Sequence, residues 1–371
     1  MKIAFLGAFL VAMFAVLPAA AQRLDGGRAR PVIDGEARPL QILIQPKNND
    51  PDSSRRSIDG LPNAITLRVL MKIGDGTTAT GYSVAVKDKS GELVARYGEA
   101  DFRAKGEIWS APVPGASATV EIEAPSPNLS AVSLAITAVA SQQKPGDPML
   151  SVIDGFDLET MEDMRTEKPE IFQVGLAVAK LSFMRDGQSL TCTGFMIDDE
   201  RMLTNEHCIS TQAVCDTTVA LFDFHTSMTT DVMRDRTTQC AELLVADQAL
   251  DVALVRLAGS PGARWGRLKL SNALPSVKEV ALVIQHPNGE VKHVSRRNCY
   301  VATYPPDGLD KETNFAHICD TMGGSSGAPV LDRKNLEVIG LHHLGVDPLD
   351  ATWRNLNRAV RIELIRSRLK I

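Results

Sequence analysis

Three short stretches of this 371-residue chain carry side chains suited to nucleophilic chemistry. The first, Leu203-Thr204-Asn205-Glu206-His207-Cys208, sets a histidine beside a cysteine. The second, Asp251-Val252-Ala253-Leu254-Val255-Arg256-Leu257, places an acid at the head of an apolar run. The third, Gly323-Gly324-Ser325-Ser326-Gly327-Ala328-Pro329-Val330, embeds a serine in glycines. Each has a bland account when taken alone: a structural histidine, a turn acid, a Gly-Ser loop. Together, in the order His, Asp, Ser, they fit one chemistry. A serine hydroxyl is a weak nucleophile near neutral pH and needs a base within hydrogen-bond reach to take its proton. His207 is the candidate base. A buried carboxylate on its second ring nitrogen, Asp251, would fix the tautomer and stabilise the charge the ring acquires. Glycines around Ser326 let backbone N–H groups converge on one small volume. Those of Gly324 and Ser326 are the expected donors to the oxygen that turns negative in a tetrahedral intermediate.

The elements that must position these residues are β-strands. From Val174 onward the chain runs through VGLAVAKLSF, SLTCTGFMI, VALFDFH, AELLVAD, VALVRL, VALVIQH, CYVATY, APVLD and EVIGLHHLG. Only the stretch from Asn357 to Leu369 carries a helical signal, with Val360, Leu364 and Ile365 at helical spacing. Many strands and one terminal helix argue for an all-β barrel domain. Upstream, AITLRVLMKI, GYSVAVKD, ATVEIEA and AVSLAITAVA are broken by turn residues, which predicts a small antiparallel β-sandwich.

The three stretches resemble the motifs of trypsin-like (chymotrypsin-fold) serine proteases. TNEHC is similar to their histidine motif, DVALVRL to their aspartate motif and GGSSGAPV to their Gly-x-Ser-Gly-x-Pro serine motif. The resemblance covers roughly residues 172–369. Cys192-Thr193-Gly194, Ile284-Gln285-His286-Pro287-Asn288 and Gly340-Leu341-His342-His343 look like the bacterial lysyl- and glutamyl-endopeptidase branch. Trp109-Ser110-Ala111-Pro112-Val113-Pro114-Gly115 with Val120-Glu121-Ile122 is similar to the β-rich accessory or pro-region of such proteins. The resemblance implies an all-β fold: a two-barrel chymotrypsin-like protease domain with the triad between the barrels and a C-terminal helix, preceded by a small β-sandwich-like domain. It also implies a Cys192–Cys208 disulfide, with Cys215–Cys240 and Cys299–Cys319 as the remaining local pairs. A zinc site from Cys192, His207, Cys208 and Cys215 is the rival account, but its spacing matches no common pattern.

The resemblance nominates two opposed signals for the substrate-binding pocket. Asp320, six residues before Ser326, falls where trypsin-like relatives select Lys or Arg. Thr321 and His342 fall where the glutamyl-specific branch holds an acidic side chain. An Asp320–His342 pair would neutralise both, and Asp320 capping a turn would remove the first. The residue before the nucleophile is Ser325, where animal trypsin-like enzymes have an aspartate that pairs with a freed N-terminus, so activation by that salt bridge is not expected. His343 would lie near Asp251 if the family strand alignment holds.

Lys2, the apolar run Ile3–Leu17, Pro18 and Ala19-Ala20-Ala21 read as a signal peptide cleaved after Ala21, which predicts a secreted or periplasmic protein. The greasy run is shorter than the roughly 20 residues that span a bilayer. All six cysteines lie between Cys192 and Cys319. An even number in an exported chain favours disulfides. The expected organisation is a signal peptide at 1–21, an exposed lead segment at 22–62, a β-rich accessory or pro-domain at 63–141, an acidic linker at 142–170 and the protease domain at 171–371. With 44% hydrophobic residues the chain can build packed cores, and a net charge of −5 offers no surplus for nucleic acid or an anionic membrane. The expected partner is a protein or peptide substrate, met by a monomer with no cofactor and no metal. The leading reading is a serine endopeptidase working through an acyl-enzyme. The alternatives are a catalytically vestigial binding protein on the same fold, and an esterase, although the nucleophile elbow of α/β-hydrolases is not visible.

Overall fold

The protein is described from a computed structural model, which covers residues 31–47, 50–125, 128–143, 150–153, 155, 157–226, 236–303, 310–346 and 356–371. The signal-peptide expectation for residues 1–21 lies outside them.

Nine strands build the N-terminal part: β1 (Val32–Ile44), β2 (Arg55–Asp59), β3 (Thr66–Ile73), β4 (Ser83–Lys87), β5 (Leu93–Gly98), β6 (Glu107–Trp109), β7 (Val113–Pro114), β8 (Ser117–Glu123) and β9 (Leu134–Gln142). They form two layers. One runs β1-β9-β3-β6, with β7 also on β3, and the other runs β2-β8-β4-β5. The period-2 pattern makes the layers: Ala118, Val120 and Ile122 point inward from β8 while their neighbours stay half-exposed. Val69, Val84, Val86, Leu134 and Ile136 complete a dry core between the sheets.

Two further strands, β10 (Leu150–Ser151) and β11 (Leu158–Thr160), precede a six-stranded barrel. The barrel comprises β12 (Val178–Arg185), β13 (Gln188–Met196), β14 (Arg201–Thr204), β15 (Val219–Leu221), β16 (Thr237–Asp247) and β17 (Val252–Leu257). Its order β12-β15-β16-β17-β14-β13 closes through a β12–β13 pairing. The second half holds β18 (Ala281–Gln285), β19 (His293–Ser295), β20 (Val301–Thr303), β21 (Asn314–His317), β22 (Thr321–Met322), β23 (Pro329–Asp332), β24 (Val338–Leu344) and β25 (Asn357–Arg361). Its sheet runs β11-β19-β18-β23-β24-β25-β21-β20, a half-barrel. The mostly-β, two-barrel architecture with a β-sandwich upstream is the one expected.

Three expectations about segments are corrected. Residues 22–62 were expected to be an exposed lead, yet β1 lies inside a sheet. It pairs with β9 on one side and with barrel strand β13 on the other, in register Val32↔Thr191 and Glu36↔Gln188. One sheet therefore runs unbroken from the sandwich into the barrel. The strand was hard to see because most of its side chains are polar or half-exposed, and its buried residue Asp34 reads as a turn former.

The second correction concerns the acidic linker at 142–170. Strand β11 pairs with β19, and helices Met161–Glu167 and Pro169–Gly175 follow. Their acids face solvent while Met161, Met164 and Ile171 sink into the barrel core. The third is the terminal helix, which spans only Ile362–Leu369. Asn357–Arg361 is instead strand β25, hydrogen-bonded to β21 and β24. Two flanking strands there satisfy its backbone, which outweighs the local helical spacing.

Candidate active site

The histidine and the acid come from the first barrel. His207 sits in the turn after β14, where Cys208 and Ile209 N–H both donate to the Asn205 carbonyl. The Asn205 amide reaches across to the Asp251 carbonyl at 2.9 Å. Asp251 ends the β16–β17 turn with φ of 48°, a left-handed conformation that non-glycine residues seldom take. That backbone bend turns its side chain onto the histidine. Oδ1 accepts from the His207 N–H at 2.9 Å and Oδ2 from Nδ1 at 2.8 Å. The carboxylate thus grips both the backbone and the ring of one residue. With Nδ1 held as donor, the neutral ring presents Nε2 as its base. That atom is buried and meets no hydrogen-bond partner among the described residues.

Burial alone would raise the Asp251 carboxyl, but the adjacent His207, and then His343, hold it well below the usual carboxylate range. His343 lies beside Asp251 as the resemblance implied: its Nδ1 is 3.1 Å from Asp251 Oδ2, and its Nε2 is 2.7 Å from Asn314 Nδ2.

Ser326 comes from the second half, on the turn between β22 and β23. Two glycines shape it. Gly327 has φ of 87°, and a Cβ there would lie 2.1 Å from the Thr193 carbonyl oxygen. Gly324 has φ of 85°, and its Cβ would lie 2.8 Å from the His286 carbonyl oxygen. Only glycine lets the turn approach both strands this closely. Thr193 of β13 then fastens it: Thr193 N–H donates to the Ser326 carbonyl at 2.8 Å, and its hydroxyl donates to the Gly324 carbonyl at 2.8 Å. Among the described residues no protein acceptor meets the N–H groups of Gly324 or Ser326, the two nominated donors. No hydrogen bond joins the Ser326 hydroxyl to His207 Nε2; such bonds often tighten only when substrate is bound.

The structure separates the pocket residues. Asp320 was expected to face a substrate, but its carboxylate is buried and turned to the segment before β11. Oδ1 accepts from Ile153 N–H at 2.8 Å and Oδ2 from Asp157 N–H at 2.7 Å. Strand β10 pairs with β22 beside it. Both carboxylate oxygens of Asp320 thus accept from that segment, and among the described residues no Asp320–His342 pair forms. Thr321 and His342 lie on β22 and β24, both buried. His342 Nδ1 is 3.2 Å from His317 Nε2. Burial, then the neighbouring histidines, keeps His342 neutral, and burial with His343 pulls His317 down to about 3.

The expected Cys192–Cys208 disulfide is present, and of the connectivities the sequence left open for the other four cysteines the local pairs Cys215–Cys240 and Cys299–Cys319 are formed. This answers the zinc account. Cys192, His207 and Cys208 do bring ligand atoms within 4.8 Å of one another, but the two sulfurs are bonded to each other and cannot act as thiolates. Sequence reasoning missed Thr193, Asn205 and Asn314 as organisers of the site: the first two stand inside quoted motifs but their partners, Ser326, Gly324 and Asp251, lie far along the chain, and Asn314 belongs to no motif.

A family model for the trypsin-like peptidase domain matches residues 192–341. The chain is 32% identical over 190 residues to the secreted RxLR effector protein 73 of Plasmopara viticola, a match covering 48% of this chain. It spans 47% of that protein, about half its length. Among solved structures, a Glu endopeptidase in complex with MPD is 16% identical, covering 59% of this chain and 97% of that one with a TM-score of 0.45. The active form of a protease from M. tuberculosis is 17% identical, covering 59% and 89%, with a TM-score of 0.44.

Proposed function

We propose that the protein, whose residues 192–341 match the family model for the trypsin-like peptidase domain, is a serine endopeptidase that cleaves peptide bonds through an acyl-enzyme. The observation that carries this is the double grip of Asp251 on His207, which commits Nδ1 as a donor and leaves Nε2 as the base. In the first step Nε2 takes the Ser326 proton as Oγ attacks the scissile carbonyl carbon. The oxyanion meets the N–H groups of Gly324 and Ser326. The imidazolium, stabilised by Asp251, gives its proton to the leaving amine as the C–N bond breaks. Water, deprotonated by the same ring, then releases the acyl group and restores Ser326.

For specificity, the engagement of Asp320 with Ile153 and Asp157 favours the acidic of the two signals. Thr321 can donate from its hydroxyl and neutral His342 from its ring, a donor set suited to a Glu or Asp side chain. Secretion or a periplasmic location is supported by the three disulfides and by the word "secreted" in the name of one relative. The sandwich is read as an accessory domain that stays attached.

The test is labelling of the purified protein by a fluorophosphonate probe, with mapping of the modified peptide. Modification at Ser326 that vanishes in Ser326→Ala supports the reading. A folded protein that resists the probe overturns it in favour of a binding protein on the same fold.

A further inference from the structure

We propose that Val32, the first residue of strand β1, is a positioning residue for the serine turn: its side chain is wedged against Gly323 and holds the Gly323–Gly324 peptide with the Gly324 N–H toward the scissile carbonyl oxygen. The inference rests on the serine-peptidase reading, and its test is arranged to separate the two.

The contact is direct. A Cβ added to Gly323 would collide with Val32 Cγ2, whereas the next nearest atoms, Asn288 Oδ1 and Val32 Cβ, stand 3.7 Å away. The space a side chain would need at Gly323 is thus taken by one methyl group, not by backbone, and its φ lies outside the left-handed region. Val32 is buried. Branching at Cβ leaves its χ1 little freedom, so the methyl stays where the strand puts it.

The peptide held in this way carries one of the two nominated oxyanion donors. The Gly323 carbonyl accepts the Asn288 N–H at 2.6 Å. In a trans peptide the N–H points opposite to the C=O, so this bond aims the Gly324 N–H away from Asn288. A peptide between two glycines meets little resistance to turning over. Turning over would put a carbonyl oxygen where the donor stood. Two contacts oppose that here, Asn288 on the oxygen and Val32 on the Gly323 Cα.

Val32 is itself fixed from two sides. It pairs with Thr191 of β13, two residues before the Thr193 that holds the Ser326 and Gly324 carbonyls. Two residues after Val32, Asp34 ties the strand to the sandwich. Its carbonyl accepts the Gln143 N–H at 2.7 Å, and its Oδ2 accepts from the Gln142 amide, whose oxygen accepts the Thr66 hydroxyl of β3. The sandwich therefore reaches the serine turn through one side chain, and it acts on the developing oxyanion without touching His207 or Asp251.

The experiment is a double-mutant cycle on the full chain, read as the fluorophosphonate rate per labelled site. Val32→Ala, which opens the space but keeps the β1 ladder, is expected to slow labelling about tenfold, and Val32→Thr, of the same shape, to restore most of it. Gly323→Ala should slow it about a hundredfold, since the new methyl meets Val32. In Val32→Ala/Gly323→Ala the two changes fit each other, and the rate should recover about tenfold over Gly323→Ala alone. Val69→Ala, a like cavity in the sandwich core, should leave the rate within twofold of wild type. The amide NMR signal of Gly324 in the Ser326→Ala background should shift and broaden with Val32→Ala and stay put with Val69→Ala. Additive losses in the cycle, equal slowing by Val69→Ala and Val32→Ala, or an unmoved Gly324 signal overturns the proposal. If wild type resists the probe, the peptidase reading fails, while the Gly324 signal still decides whether Val32 holds the peptide.

Discussion

The carboxylate of Asp320 accepts the backbone N–H of Ile153 across 2.8 Å, joining residues 167 positions apart in the chain. Its second oxygen accepts from Asp157. The residue that most suggested a basic preference thus holds the connector against the wall of the site. Asp320→Ala is predicted to leave the ranking of cleaved residues unchanged in a peptide library. The same change should lower folding stability by about 3 kcal/mol, because two amides lose a buried anionic acceptor. Selective loss of cleavage after Lys or Arg would restore the pocket role.

The serine turn makes a sharper demand on its sequence. Gly327→Ala would need a left-handed alanine whose Cβ occupies the Thr193 carbonyl position. Such a turn cannot relax without breaking the Thr193–Ser326 hydrogen bond. The expected cost is roughly 3 kcal/mol or more, with Ser326 labelling slowed at least about a hundredfold. Probe labelling at matched protein concentration checks this, and a rate within threefold of wild type would contradict it.

The three motif residues were legible because each sits in a contiguous pattern whose local chemistry is recognisable: a histidine beside a cysteine, an acid heading an apolar run, a serine among glycines. Most strands were legible for a similar reason, since β8 and its neighbours alternate with period 2. Asp320 was not. Its role depends on Ile153 and Asp157, and no local pattern predicts which way an acid turns toward a segment so distant. His343 was placed near Asp251 only through the resemblance, and Asn314, which meets its other ring nitrogen, lies in no motif. Strand β1 was hidden by its position inside the sheet that joins sandwich and barrel, where a buried Asp34 and exposed Arg38 and Gln41 look like loop composition.

Acid should destabilise the fold before it protonates Asp251. His317 is buried with its pKa lowered to about 3, whereas an unfolded histidine titrates near 6.5. Between those values the unfolded chain binds the proton and the folded one does not, so stability is full above about pH 6.5 and drains as pH falls toward 3. Neutral His342 and His286 add to the same slope, both held down by burial. Asp251 acts lower: its depressed pKa contributes stability above about pH 4 that is lost only on further acidification. Denaturant midpoints measured from pH 7 to pH 4 should fall steadily, and His317→Phe should flatten that fall. A flat profile in wild type would show that the buried histidines are not held neutral in the folded state.

The continuous sheet predicts that the sandwich cannot be shed like a removable leader. Releasing β1 would expose the edge of β13 and break the Ala37–Gly187 backbone hydrogen bond. It would also strip Asp34 from the neighbourhood of Lys180, a buried amine in the barrel wall that the carboxylate helps keep charged. Arg68 on β3, itself buried, donates to the Thr217 carbonyl of the barrel at 2.6 Å and would leave that acceptor bare. An unpartnered buried charge costs several kcal/mol, comparable to the whole stability of a domain. A chain beginning at residue 171 is therefore expected to be insoluble or to unfold at least about 15 °C below the longer form. Intact mass of the active, probe-labelled protein should include residues 31–170 on the same polypeptide. A labelled species lacking them, stable by thermal melting, would show that the barrel closes its own edge and that the sandwich is dispensable.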